Sequence, residues 1–102
     1  MKIIWSPLAQ HKLTDIADYI AQDKPGAALK WVETVLDQVE NLSSFPNSGR
    51  AVPELDNEQY KELIIGNYRV IYKITEKQIQ ILTIRNFKQL LSSEDHPLNA
   101  QI

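Results

Sequence analysis

Cysteine is absent from all 102 residues, which excludes disulfides and thiolate metal sites. No apolar run approaches the ~18 residues that a membrane-crossing helix needs. The opening Met1-Lys2-Ile3-Ile4-Trp5-Ser6-Pro7 also lacks the long apolar stretch of a signal peptide, so a cytoplasmic protein is expected, with no membrane partner. There is no excess of positive charge. A net charge of −2 and a pI near 5.6 argue against a protein that binds mainly by neutralising many phosphates. His11 and His96 lie far apart and no spaced Asp or Glu completes a ligand set, so no metal and no small-molecule cofactor is expected. Ser6 has neither a glycine-rich elbow nor a histidine partner to make it a nucleophile. Internal repeats, low-complexity tracts and compositional breaks are missing too. With 43% apolar residues, the chain reads as a single domain over 1–102 with one modest core, residues 92–102 forming a tail that can fray.

What is present is most informative between Tyr60 and Ile74. Two alternating runs flank Gly66-Asn67, a dipeptide suited to the positive φ values of a tight hairpin turn. The spacing pairs Ile65 with Tyr68, Leu63 with Val70 and Lys61 with Tyr72. One face then carries Leu63, Ile65, Tyr68, Val70, Tyr72 and Ile74, and the other Glu62, Ile64, Arg69, Ile71 and Lys73. The first face is the richer and should hold the core. A third β-branched run, Gln78 to Arg85, most simply pairs with the second strand. If Glu76-Lys77 is the turn, Leu82 and Ile84 join the Arg69 face; an odd-length loop would exchange the two faces.

Ser6 followed by Pro7 is an N-cap with proline at the first helical position. Ala9, Leu13, Ile16, Ala17 and Ile20 then mark one stripe of a first helix. Pro25 forbids a helical conformation at Lys24 and can begin a second helix. That helix carries Ala28, Val32, Val35, Leu36, Val39 and Leu42, with Trp31 at the edge of the stripe, and fades at Ser43-Ser44-Phe45-Pro46. The short link makes the helices antiparallel, a lid for one face of the sheet. Phe45 to Asp56 is too broken by turn residues for either regular period and reads as an ordered crossing loop. Asn86 to Leu91 can form a turn of helix. Trp5, Trp31, Tyr68 and Tyr72 are read as packing residues, the tyrosine hydroxyls reaching the rim.

The order and spacing of several elements resemble the RelE/ParE superfamily of type II toxin–antitoxin toxins over residues 3 to 88. They are Trp5, Ala9 and Leu13; Ile16 and Asp18-Tyr19-Ile20-Ala21; Pro25 with Ala27-Ala28; Leu42 with Phe45-Pro46; Gly49-Arg50; Pro53-Glu54-Leu55; Glu62-Leu63; Tyr68-Arg69-Val70-Ile71-Tyr72; and Ile81-Leu82. The resemblance implies an α+β fold, with an N-terminal antiparallel helical hairpin packed on one face of a small, mainly antiparallel sheet of three to four strands. It also implies a co-encoded protein antitoxin that binds and neutralises the chain in a hetero-oligomer.

The superfamily divides into RelE-like members, which cleave messenger RNA on the ribosome, and ParE-like members, which inhibit DNA gyrase. Under the ribonuclease alternative the candidate catalytic residues are Arg69, Arg85, Lys88 and Lys61. Cleavage needs a group to deprotonate the 2′-hydroxyl, another to protonate the leaving oxygen, and cations for the phosphate. Arg85-Asn86-Phe87-Lys88-Gln89 stands where many members carry a histidine or a basic cluster. Arginine is a poor general base, and Phe87 cannot exchange a proton. This departure favours the ParE-like branch, with Arg50, Arg69 and Arg85 as candidate target-binding residues. A degenerate toxin that keeps only antitoxin binding is the third reading. Two structural readings stand beside these: Arg69 as a solvated arginine paired with Glu62, and Arg50 bridging an acidic neighbour or loop carbonyls.

A sheet that is apolar on both faces needs a second cover. Ile64, Ile71, Leu82 and Ile84 on the face away from the helices, with Phe87, are the candidate antitoxin-binding residues, and Arg69 is expected to project from the same open face.

Overall fold

The computed structural model describes residues 1–87. The expected 92–102 tail and the candidate Lys88 lie outside the described residues, as do residues 88–91 of the expected helical turn. The chain runs β1 (Lys2–Trp5), α1 (Pro7–Ala21), α2 (Pro25–Asn41), a 3-10 turn at Pro46–Ser48, then β2 (Arg50–Ala51), β3 (Tyr60–Ile65), β4 (Tyr68–Ile74) and β5 (Gln78–Asn86). The strands form one sheet in the order β1-β5-β4-β3-β2. β1 runs parallel to β5, and the other neighbours are antiparallel. The α+β class is as expected, with five strands in place of three or four. None of the described helices is long and apolar enough to cross a membrane.

Helix α1 begins where the cap chemistry places it. Ser6 Oγ accepts the Ala9 N–H at 3.0 Å and donates to the Leu82 carbonyl at 2.8 Å. The Ser6 N–H donates to the Ile81 carbonyl at 2.9 Å. One side chain thus satisfies an orphan helix donor and fastens the helix start to β5. Ser6→Ala is expected to cost about 1–2 kcal/mol, the upper part of the N-cap range because a second bond is lost with the cap. Urea denaturation measures it, and a loss under about 0.5 kcal/mol would contradict this role. Pro25 sits in the first turn of α2, and Lys24 before it is non-helical at φ −138° and ψ 86°.

The β3–β4 register reproduces all three expected pairs, Ile65 with Tyr68, Leu63 with Val70 and Lys61 with Tyr72. Gly66 alone takes the positive φ, +60°, and Asn67 does not. Glycine therefore meets the requirement of a turn that needs positive φ at its first central residue. The helices cover the face predicted for them. Val35, Val39 and Leu42 from α2 and Ala9 from α1 pack with Ile65, Val70, Tyr72, Ile79, Ile81 and Ile84. Trp5, Trp31 and Tyr68 pack against that core, Trp31 and Tyr68 edge to face at 5.3 Å between ring centres.

Strand β5 departs from the expected alternation. Ile74, Lys73 and Tyr72 oppose Ile79, Gln80 and Ile81, the register of a Glu76-Lys77 turn, but Ile71 opposes Thr83 and Val70 opposes Ile84. Leu82 is the extra residue of a β-bulge, and beyond it the faces exchange. Leu82 stays on the Arg69 side. Ile84 turns into the helix-covered core and is 1% exposed, which corrects its placement on the open face.

Candidate functional site

The face away from the helices is closed by the chain itself. The segment after β2 crosses it and lays Val52 and Leu55 beside Tyr60 and Ile71, with Leu82 packed at the margin. Ile71 is 0% exposed, so the expectation that it presents an apolar surface is overturned. Single apolar residues between turns gave this cover no periodic signature. Ile64, near the hairpin end of β3, remains exposed, as does Phe87 after β5.

Arg69 lies beneath this cover at 3% exposure and does not project into solvent. Its two terminal nitrogens donate to the two Glu54 carboxylate oxygens at 2.7 Å each, a bidentate pair. Its Nε donates to Glu62 Oε1 at 2.7 Å, and Glu62 Oε2 accepts from Arg50 Nε at 2.6 Å. Glu62 is itself 1% exposed. The result is an alternating chain, Glu54–Arg69–Glu62–Arg50, in which two cations balance two anions. Glu54 foremost, then Glu62, hold the Arg69 proton more firmly than in a free guanidinium, outweighing burial, which acts the other way. The Arg69–Glu62 pair was anticipated as a structural reading; its burial was not. Arg50 meets an acidic neighbour, also as anticipated, and its guanidinium stacks 5.5 Å from the centre of the Phe87 ring.

The remaining candidates divide by face. Ile64, Arg69 and Arg85 form one cross-strand row on β3, β4 and β5. Lys61 opposes Tyr72 and so belongs to the other face, apart from Arg69. Glu54 entered the sequence reading only as part of Pro53-Glu54-Leu55, and its pairing with Arg69 was not anticipated. Its signal was slight: an acid between Pro53 and Leu55 inside a loop, with a buried arginine as its partner.

No group of three or more His, Cys, Asp or Glu able to hold a metal ion occurs among the described residues. A helical hairpin packed on one face of a five-stranded mixed sheet is the fold that the RelE/ParE resemblance implies. Comparison with known proteins agrees. A family model described as the ParE toxin of the type II toxin–antitoxin system parDE matches residues 3–91. The chain is 30% identical over 90 residues to "Putative toxin Y4kP" of Sinorhizobium fredii, covering 86% of this chain and 90% of that protein. It is 28% identical over 90 residues to Toxin RelE2 of Caulobacter vibrioides, covering 87% and 98%. Among solved structures, a chain of the chromosomal ParDE TA system from P. aeruginosa superposes with a TM-score of 0.72 at 26% identity, over 86% of this chain and 97% of that one. The YoeB dimer from Staphylococcus aureus shares the fold at a TM-score of 0.57 and 16% identity, over 81% and 92%. The chain belongs to the ParE toxin family of type II toxin–antitoxin systems.

Proposed function

We propose that this toxin acts in the cytoplasm by binding DNA gyrase, with no chemistry of its own, and that a co-encoded antitoxin neutralises it. The observation that carries this reading is the state of Arg69. A ribonuclease would need that cation free to meet phosphate charge, yet both its edges are committed to carboxylates of the same chain. Glu54 and Glu62, the acids nearest to it, are likewise engaged and are poorly placed to accept a proton from a 2′-hydroxyl. A binding toxin needs only a stable surface. The match to the ParE family model and the likeness to a chain of a ParDE system support the same branch and an antitoxin partner.

Purified chain should inhibit gyrase supercoiling in a dose-dependent way and leave translated messages uncut in a ribosome-dependent assay. Induced alone, it should trigger a DNA-damage response ahead of any arrest of translation. Ribosome-dependent cutting with gyrase spared would establish the ribonuclease reading in its place. Unimpaired growth on induction would establish the degenerate one.

A further inference from the structure

One arginine of the far face is held but not saturated. Arg50 is fixed at the end of the ionic chain by its Nε alone, through the 2.6 Å bond to Glu62, and half of its side chain faces solvent. Among the described residues neither of its terminal nitrogens has a partner. Arg69 differs, since both of its terminal nitrogens are taken up by Glu54. Phe87 supplies a second restraint on Arg50. Its ring centre lies 5.5 Å from the guanidinium carbon, although Arg50 belongs to β2 and Phe87 follows β5, with β3 and β4 between those strands. The two side chains therefore lean toward one another across the hairpin end of the sheet.

Ile64 stands on the same face at the same end, two residues beyond Glu62 on β3, and is exposed like Phe87. A guanidinium free to turn loses rotamer entropy when it grips an anion. One that is pinned through Nε and flanked by a ring has given up much of that freedom in advance. Arg50 thus presents to solvent a planar fork of N–H donors that matches a carboxylate or a phosphate. Its surroundings decide between them. Glu54 and Glu62 offset Arg69 and Arg50, so the network as a whole carries no net charge, whereas a nucleic-acid backbone is gripped by several unshared cations. One fork with two apolar side chains beside it suits instead a protein segment that places an acidic residue next to an apolar one. Arginine and aromatic residues are the usual anchors of such contacts.

We propose that Arg50, Phe87 and Ile64 form the patch by which the toxin grips its protein target. An Asp or Glu carboxylate of the target accepts from both terminal nitrogens of Arg50. A neighbouring apolar side chain of the target covers Phe87 and Ile64 and excludes water from that bond. Glu62 is a positioning residue, holding the guanidinium plane from behind. This rests on the gyrase reading above, and it assigns Ile64 and Phe87 to the target in place of the antitoxin.

The test measures binding of the full-length chain and its variants to purified gyrase, without DNA and with it. Arg50→Lys keeps the charge and gives up the fork, and it should weaken binding at least 10-fold without DNA. Phe87→Ala should do the same, and so should Ile64→Glu, which meets the acidic segment with like charge. Tyr19→Lys, on the exposed side of α1, should bind as the native chain does. All four positions are exposed, and binding is scored on variants whose circular dichroism matches that of the native chain. Native affinity in all three patch variants would overturn the patch and leave the gyrase reading standing. A loss confined to the assay with DNA would overturn it as well, since the fork would then be holding phosphate. A native chain that fails to bind gyrase would overturn both.

Discussion

Arg69→Met is expected to lower stability by about 3–5 kcal/mol, the usual cost of removing one partner from a buried ion pair. For a domain of this size that is a fall in Tm of more than about 10 °C. The substitution leaves Glu54 without its bidentate partner and Glu62, at 1% exposure, dependent on Arg50 alone. The crossing segment should loosen first, because Glu54 ties its middle to the sheet. Arg50→Gln provides the contrast. Half of the Arg50 side chain faces solvent, and Glu62 would keep Arg69, so its loss should cost about 1 kcal/mol. Thermal melts of the two variants, read with amide exchange across 52–59, distinguish a buried network from a surface pair. Equal and small losses would show that Arg69 is not held as the geometry indicates. A lifeless Arg69 variant in a growth assay would not by itself identify a catalytic residue, because loss of fold gives the same result.

The same network shows why one part of this protein was legible and another was not. The β3–β4 hairpin was readable to the residue because turn chemistry and alternation fix the same register independently. Helix α1 was readable from Ser6-Pro7 and one apolar stripe. β1 was harder: four residues give little periodic signal, and its parallel partner β5 lies more than 70 positions away. The Leu82 bulge left no glycine or proline to mark it. It converts a correct local register into a wrong face for Ile84. The greatest departure came from Val52, Glu54 and Leu55. The two-faced hairpin rightly demanded a second cover, but an irregular segment can supply one in cis with three well-placed side chains, and no periodicity records that. Arg69 then changes meaning: the residue that the resemblance offers as a phosphate contact becomes the pin of the cover.

Gly49→Ala is the second substitution expected to do severe damage, about 2–4 kcal/mol from overpacking together with a lost buried hydrogen bond. The need for glycine here is steric, since the backbone is ordinary at φ −74° and ψ 169°. A Cβ would stand 2.5 Å from Tyr72 Oη and 2.7 Å from the Glu62 carbonyl oxygen. The latter belongs to the backbone of β3 and can yield only if β2 moves. Tyr72 is fully buried, accepts the Gly49 N–H at 3.0 Å and donates to the Pro46 carbonyl at 2.8 Å. It thereby anchors the start of the crossing segment as Glu54 anchors its middle. Tyr72→Phe should cost about 1–3 kcal/mol by orphaning those two groups. Combined with Gly49→Ala it should cost less than the sum, because the hydroxyl is the nearest of three clashing atoms, although the ring Cε1 at 2.9 Å and the Glu62 carbonyl remain. Tyr72 also has an alkaline signature. Burial raises its pKa above the ordinary 10, with the Gly49 N–H acting in the opposite direction. The unfolded chain therefore releases this proton first, and the stability tied to the neutral phenol is complete below about pH 10 and lost as the pH rises further. Denaturation curves for the native chain should accordingly fall more steeply above pH 10 than those of Tyr72→Phe. Parallel curves, or a Gly49→Ala protein as stable as the original, would mean that Pro46, Gly49 and Tyr72 do not form the close junction on which the crossing segment hangs.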